Sequence, residues 1–190
     1  MDDQRVKSRR KFLETSARTV VASGLLAAGA CSMTGTSRPT APQGPEPRPI
    51  VPDQVLRLGV VGVGGRGGGL LRSAMKHEKV SIRAVADPYE PHRNKAVQLV
   101  EQHLGETPET YSGEEDYLKV IAREDIDALI IATPCYLHAR MYLACFAGGK
   151  HFYGEKPMCL DAAEAQALVQ AQDKNPAVIA QIGFQRRASE

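Results

Sequence analysis

From Val55 onward, apolar β-branched runs alternate with stretches of helical periodicity. Val55–Val61 is a short apolar run that breaks into glycine, and Val80–Ala86 is a second, ended by Asp87-Pro88. Between them the pattern turns helical from Leu70 to His77. The stretch 90–104 carries Ala96, Leu99 and Val100 on one face, again at helical spacing. A short strand is expected near Thr110-Tyr111. Ser112 and Glu115 then form an S-x-x-E capping box opening a helix to Ala122. Ala128–Ala132 is uninterrupted and apolar, as expected of a strand buried on both faces. A helix ending at Gly148-Gly149 follows, then a strand over 150–154 and a helix capped by Asp161 with Glu164 three residues on. The last strand is expected over 177–184. Six strands separated by helices predict an α/β fold with a doubly wound parallel sheet.

The first part of the chain reads differently. Residues 1–30 hold six basic and three acidic side chains, with Arg9-Arg10 ahead of an apolar run from Val20 to Ala30. That run is too short for a stable membrane-spanning helix. Its charge, apolar stretch and small-residue end predict a cleaved signal peptide. Ser8-Arg9-Arg10-Lys11-Phe12-Leu13 resembles a twin-arginine export signal, which implies the twin-arginine translocase as a transient partner and a periplasmic or otherwise extracytoplasmic location. Cleavage is expected before Cys31. "AAGAC" resembles a lipobox in which Cys31 would carry a lipid anchor, although Ala28 stands where a Leu is usual. Residues 31–53 contain six of the twelve prolines and are expected to form an extended, disordered linker.

Composition narrows the remainder. Hydrophobic residues make up 43% and charged residues 24%, with few aromatics and no Trp, so Val, Ile, Leu and Ala must build the core. Residues 1–30 carry +3 against a net charge of +2, so the rest of the chain is about −1 and has no basic excess to suit a nucleic acid. Four cysteines show neither CxxC spacing nor disulfide density, and no metal site is readable.

The turn after the first strand reads Gly62-Val63-Gly64-Gly65-Arg66-Gly67. A G-x-G-x-x-G pattern is informative where it follows a buried strand and opens a helix. Gly62 permits the tight turn, Gly64 lets backbone approach a pyrophosphate, and Gly67 lets the helix pack against the strand. Gly65 makes the loop barer still, and Arg66 lies either near the phosphates or in water. Asp87, 25 positions after Gly62 at the end of the second strand, can accept both hydroxyls of an adenosine ribose. Its other reading is a cap for the next turn. A carboxylate there repels a 2′-phosphate and favours NAD, while Arg83 and Arg93 keep NADP open. Together these features describe a Rossmann-type dinucleotide-binding domain over 54–190.

"ATPCYLHA", "AGGKHFYGEKPM" and "IGFQRR" resemble, in order and spacing, the Gfo/Idh/MocA oxidoreductase family. The resemblance runs from about Val55 to the end of the chain, and E-K-P after G-K-H is its most specific element. It implies hydride transfer between NAD(P) and a sugar, polyol or related small molecule. Residue by residue, it implies that Lys156 is catalytic, reaching the nicotinamide and the substrate oxygen. Glu155 would hold the nicotinamide side, Pro157 would fix the turn, and Thr133 and Pro134 would line the cofactor cleft. His138 is either a cofactor-site residue or a satisfied, partly buried histidine. Cys135 stands where the family often has Asn, and Arg186-Arg187 match its segment leading into a second domain.

That second domain binds substrate and forms the oligomer in the family, and "GFQRRASE" falls where it would begin. The expectation is therefore a nucleotide-binding half without its substrate half. Two alternatives stand beside the oxidoreductase: an NAD-dependent glycoside hydrolase of the same fold, and a non-catalytic nucleotide-binding remnant.

Overall fold

The computed structural model describes residues 44–184. The expected signal at 1–30, Cys31, residues 32–43 of the Pro-rich segment and Arg186-Arg187 lie outside the described residues.

Strands β1 (Leu56–Val61), β2 (Val80–Ala86), β3 (Glu109–Tyr111), β4 (Ala128–Ile131), β5 (His151–Glu155) and β6 (Ala180–Gly183) form one sheet. All pairings are parallel, in the order β3-β2-β1-β4-β5-β6. The connecting helices are α1 (Gly65–Ala74), α2 (Glu90–Leu104), α3 (Tyr117–Ala122), α4 (His138–Ala147) and α5 (Ala162–Lys174). A 3-10 turn, Cys135–Leu137, leads into α4. Strand order reverses between β1 and β4, so their carboxyl ends flank the crevice where open α/β sheets take ligands.

Alternate strand residues feed two cores. Leu58, Val60, Ile82 and Val85 pack with Leu71 of α1 and with Ala96 and Val100 of α2. Val61, Ala84, Leu129 and Phe152 pack with Val120 of α3, Met141 and Cys145 of α4 and Leu168 of α5. Every β4 residue is buried, as its unbroken apolar run predicts. Each fully buried aliphatic side chain contributes about 2 kcal/mol, which lets a chain with few aromatics hold two layers. The aromatics it has are concentrated: Tyr142 stacks on Phe152 at 5.0 Å, and Phe146 meets Phe152 edge-on at 5.3 Å.

Two local expectations are corrected. Helix α1 begins at Gly65 rather than Leu70 and ends at Ala74, so glycines expected in the loop form its first turns. A Cβ at Gly67 would overlap the Gly62 carbonyl, so the first turns must be glycine there despite its poor helix propensity. The Ser112–Glu115 capping box does not form. Asp116 occupies the N-cap of α3 and accepts the Gly113 N–H at 2.8 Å, while Glu115 pairs with Arg140 of α4 at 2.6 Å. A full charge on the neighbouring helix out-competes a backbone amide for that carboxylate. The second expected cap is present, with the Glu164 N–H donating to Asp161 at 2.8 Å.

At the amino end of the sheet, residues 44–51 run without regular secondary structure but in contact with the body. The Arg48 carbonyl accepts from His151 Nε2 at 2.8 Å, and its guanidinium lies 3.3 Å from Asp127. The packed chain therefore begins before Gln54, the start expected from composition. Among the described residues no helix is long and apolar enough to cross a membrane.

Candidate active site

The glycine loop shows why its residue types are needed. Gly62 has φ +79, and its N–H donates to the Ala86 carbonyl at 2.7 Å, tying the turn to the end of β2. A Cβ on Gly62 would lie 2.8 Å from the Ala132 carbonyl, and one on Gly67 would overlap the Gly62 oxygen. Gly64 faces the His92 ring and Gly65 faces open space. Helix α1 has no side-chain cap and no acidic residue in its first turn. Its free N–H groups and positive dipole end are thus left for an anion.

Beside the loop lies a cleft of about 460 Å³, lined by Gly62, Gly64, Asp87, His92, Thr133 and Pro134 among others. Asp87 is buried in its wall. Its Oδ2 accepts the Val63 N–H at 2.9 Å, and its Oδ1 accepts the Tyr89 N–H at 2.9 Å. The carboxylate therefore does cap the following turn and also pins the glycine loop. Each oxygen keeps a second lone pair for a hydroxyl. Arg93 donates to the carbonyls of Asp87 and Pro88 at 2.6 and 2.9 Å, so its charge holds the β2–α2 turn. Arg83 is exposed on β2.

The other side of the crevice is built from the ends of β4 and β5. His138 is buried, with Nε2 2.9 Å from the Thr133 carbonyl and Nδ1 2.7 Å from the Pro157 carbonyl. It joins the turn after β4 to the segment after β5. Tyr142, one helical turn on, stacks with His138 at 5.4 Å and donates to the Glu155 carbonyl at 2.7 Å. Burial pushes the Tyr142 phenol well above its ordinary range, so it remains a donor. The Glu155 side chain is also buried, and Arg66 Nε and Nη2 both lie 2.7 Å from its Oε1. That hydrogen bond, opposed in part by desolvation, raises the Arg66 pKa above its ordinary value. Lys156 is exposed beside this pair, and the Lys156–Pro157 peptide is cis.

Residues 56–184 match the profile of the Gfo/Idh/MocA group, described as an oxidoreductase family with an NAD-binding Rossmann fold. The chain belongs to the Gfo/Idh/MocA oxidoreductase family. Among curated Gfo/Idh/MocA relatives, a glycosyl hydrolase family 109 protein of Shewanella amazonensis is 35% identical over 85% of this chain and 36% of its own length. An alpha-N-acetylgalactosaminidase of Shewanella oneidensis is 30% identical over 64% of this chain and 27% of its own length. The chain thus spans between about a quarter and little more than a third of the length of the curated relatives it matches. Among solved structures, scyllo-inositol dehydrogenase of Lactobacillus casei with bound NAD(H) and scyllo-inositol superposes with TM-score 0.63 and 25% identity, covering 72% of this chain and 38% of the other. The WlbA dehydrogenase of Chromobacterium violaceum, in complex with NADH and UDP-GlcNAcA, gives TM-score 0.63 and 25% identity over 74% and 38%.

The residues present fit the NAD of this Gfo/Idh/MocA fold: a cradle that Cβ atoms would fill, an uncapped helix end and a cleft-wall carboxylate. The site has three members that sequence reading did not name. His92 lies over Gly64 with Nδ1 3.5 Å from Asp87, on the first turn of a helix whose start was legible. Tyr142 lies four residues after His138, a helical spacing that carried a usable signal. Arg140 lines the cleft from α4 and pairs with Glu115. The Arg66–Glu155 pair joins residues 89 apart and had no local signal.

Proposed function

We propose that this chain is the NAD-holding half of an exported enzyme acting on a sugar-like substrate by hydride transfer. The observation that carries the reading is the exposed Lys156 at the carboxyl end of β5, across the crevice from the glycine loop and Asp87. NAD, when bound, supplies a hydride acceptor. The loop and the α1 N-terminus take its diphosphate, and Asp87 accepts its ribose hydroxyls. In the reducing direction the Lys156 ammonium would polarise the substrate carbonyl and give its proton to the alkoxide oxygen that forms; in the oxidising direction Lys156 Nζ, as the neutral amine, would take that proton back from the hydroxyl. A second reading, glycoside cleavage through transient oxidation with no net consumption of NAD, is supported by the names of the curated relatives.

Two assays on the NAD-loaded chain separate these readings: NADH formation with polyols and sugars, and release of chromophore from aryl N-acetylgalactosaminides. Steady NADH formation supports the dehydrogenase. Chromophore release without NADH accumulation supports the glycosidase. In either case Lys156→Ala is expected to lower turnover by about 10²-fold or more while NAD affinity stays within a factor of about 2. NAD binding with neither reaction would leave these residues a nucleotide-holding half that does not turn over substrate by itself.

Export belongs to the same proposal. Arg9-Arg10 followed by Phe12-Leu13 supports a twin-arginine route, which carries folded proteins and suits an enzyme loaded with NAD before leaving the cytoplasm. Replacing both arginines by lysine should leave the protein in the cytoplasmic fraction. Unchanged periplasmic recovery would sink this part of the reading. Palmitate labelling that is lost in Cys31→Ala would establish the lipid anchor.

A further inference from the structure

Glu155 is a buried carboxylate whose Oε1 is held twice by one cation, Arg66. The cation does not come from a neighbouring strand. Arg66 is the second residue of α1, directly after the loop at the end of β1, and Glu155 ends β5, with β4 lying between those strands. The side chain therefore spans the crevice from the phosphate loop to the strand that carries Lys156.

This placement raises a question of charge. A buried carboxylate needs a counter-charge or it becomes costly. A dinucleotide laid across the crevice brings two anionic phosphates to the α1 N-terminus, where Arg66 is rooted. In its oxidised form it also brings a cationic ring to the opposite side, where Glu155 lies. A guanidinium whose side chain is 45% exposed has better acceptors in a diphosphate than in one carboxylate oxygen. The oxidised ring can then replace it as the partner of Glu155. The reduced ring is neutral and cannot.

We propose that the Arg66–Glu155 pair is a charge latch across the crevice: Arg66 neutralises Glu155 in the cofactor-free chain and transfers to the diphosphate when NAD binds. Glu155 is thereby released to face the oxidised ring, and the domain holds NAD+ more tightly than it would without that carboxylate. The inference rests on the NAD-binding reading of the site and makes Arg66 and Glu155 cofactor-binding residues.

The test is titration calorimetry of the full chain with NAD+ and with NADH, at low and high salt. Wild type, Arg66→Gln, Arg66→Lys and Glu155→Gln are compared, each checked for folding by thermal melting. Glu155→Gln is expected to weaken NAD+ relative to NADH by about tenfold, the scale of one charge-assisted contact. Arg66→Gln is expected to weaken both forms alike, by about 3- to 10-fold, and to flatten the salt dependence. Arg66→Lys should recover most of that salt dependence. If Glu155→Gln shifts NAD+ and NADH equally, or Arg66→Gln leaves the salt dependence intact, the pair is static and the latch is wrong. A folded wild type that binds neither form overturns the NAD reading itself together with the latch.

Discussion

The glycines of the phosphate loop are alike in sequence and unlike in what they tolerate. A Cβ at Gly67 would overlap the Gly62 carbonyl, which is backbone and cannot rotate away, whereas Gly65 has nothing within 4 Å. Gly67→Ala is therefore expected to cost about 2 kcal/mol or more, because loop and helix must separate, and to abolish NAD binding. Gly65→Ala should leave melting within about 0.5 kcal/mol of wild type and NAD affinity close to it. Melting curves and NAD titrations of the two variants make the comparison, and a folded Gly67→Ala that still binds NAD would remove the close-packing argument. Spacing alone told the loop's purpose, since strand, glycine and helix follow one another within a few residues. It also set Gly67, the third glycine of the motif, apart from the added Gly65; what it could not give is that the backbone opposite Gly67 is the Gly62 carbonyl. Asp87 was legible as the acid closing β2, but its hold on Val63 and Tyr89 depends on how the turns meet.

Among the elements, β4 is held at its amino end by an ion pair formed just ahead of it. Asp127, just before β4, accepts from the Arg57 backbone N–H at 3.0 Å, from its Nε at 3.0 Å and from its Nη2 at 2.7 Å. Burial pushes this carboxyl up, but the Arg57 bonds outweigh it and hold the pKa below the ordinary carboxylate value. A depressed folded-state pKa gives stability that is present above the unfolded value, near pH 4, and is lost as pH falls through the folded value. Asp127→Asn should thus cost about 1–3 kcal/mol at pH 7. Below pH 3 the difference from wild type should shrink, as melting at both pH values can check. Equal destabilisation at both would contradict the ionic account. At the carboxyl end, Tyr142→Phe removes only the bond to the Glu155 carbonyl and is expected to cost about 1 kcal/mol. Strand and helix existence was legible from period and punctuation, for example in the unbroken β4 run. The caps were less so: Ser112-x-x-Glu115 has the right letters, but Arg140 on α4 claims the glutamate.

At the scale of the whole molecule, the two ends of the sheet have separate tasks, and the residues before Gln54 belong to only one of them. His151, buried at the start of β5, accepts the Ile179 N–H at Nδ1 (3.0 Å). Its proton must then sit on Nε2, which donates to the Arg48 carbonyl at 2.8 Å. One imidazole thus joins β5, the approach to β6 and the chain ahead of β1. Composition marked that chain only as proline-rich, and no local pattern announces a carbonyl 103 residues from its histidine. Removing everything before Gln54 leaves the His151 Nε2–H without its acceptor and takes away the Arg48 contact to Asp127. The cost expected is about 1–3 kcal/mol, or roughly 5 °C in melting temperature, relative to a chain beginning at Gly44. Affinity for NAD should not change, because Gly62, Asp87 and Glu155 lie at the opposite ends of their strands. Melting and NAD titration of the two chains decide the matter. Equal melting would mean the contacts contribute nothing, and a parallel fall in affinity would mean the amino end of the sheet is coupled to the cofactor cleft.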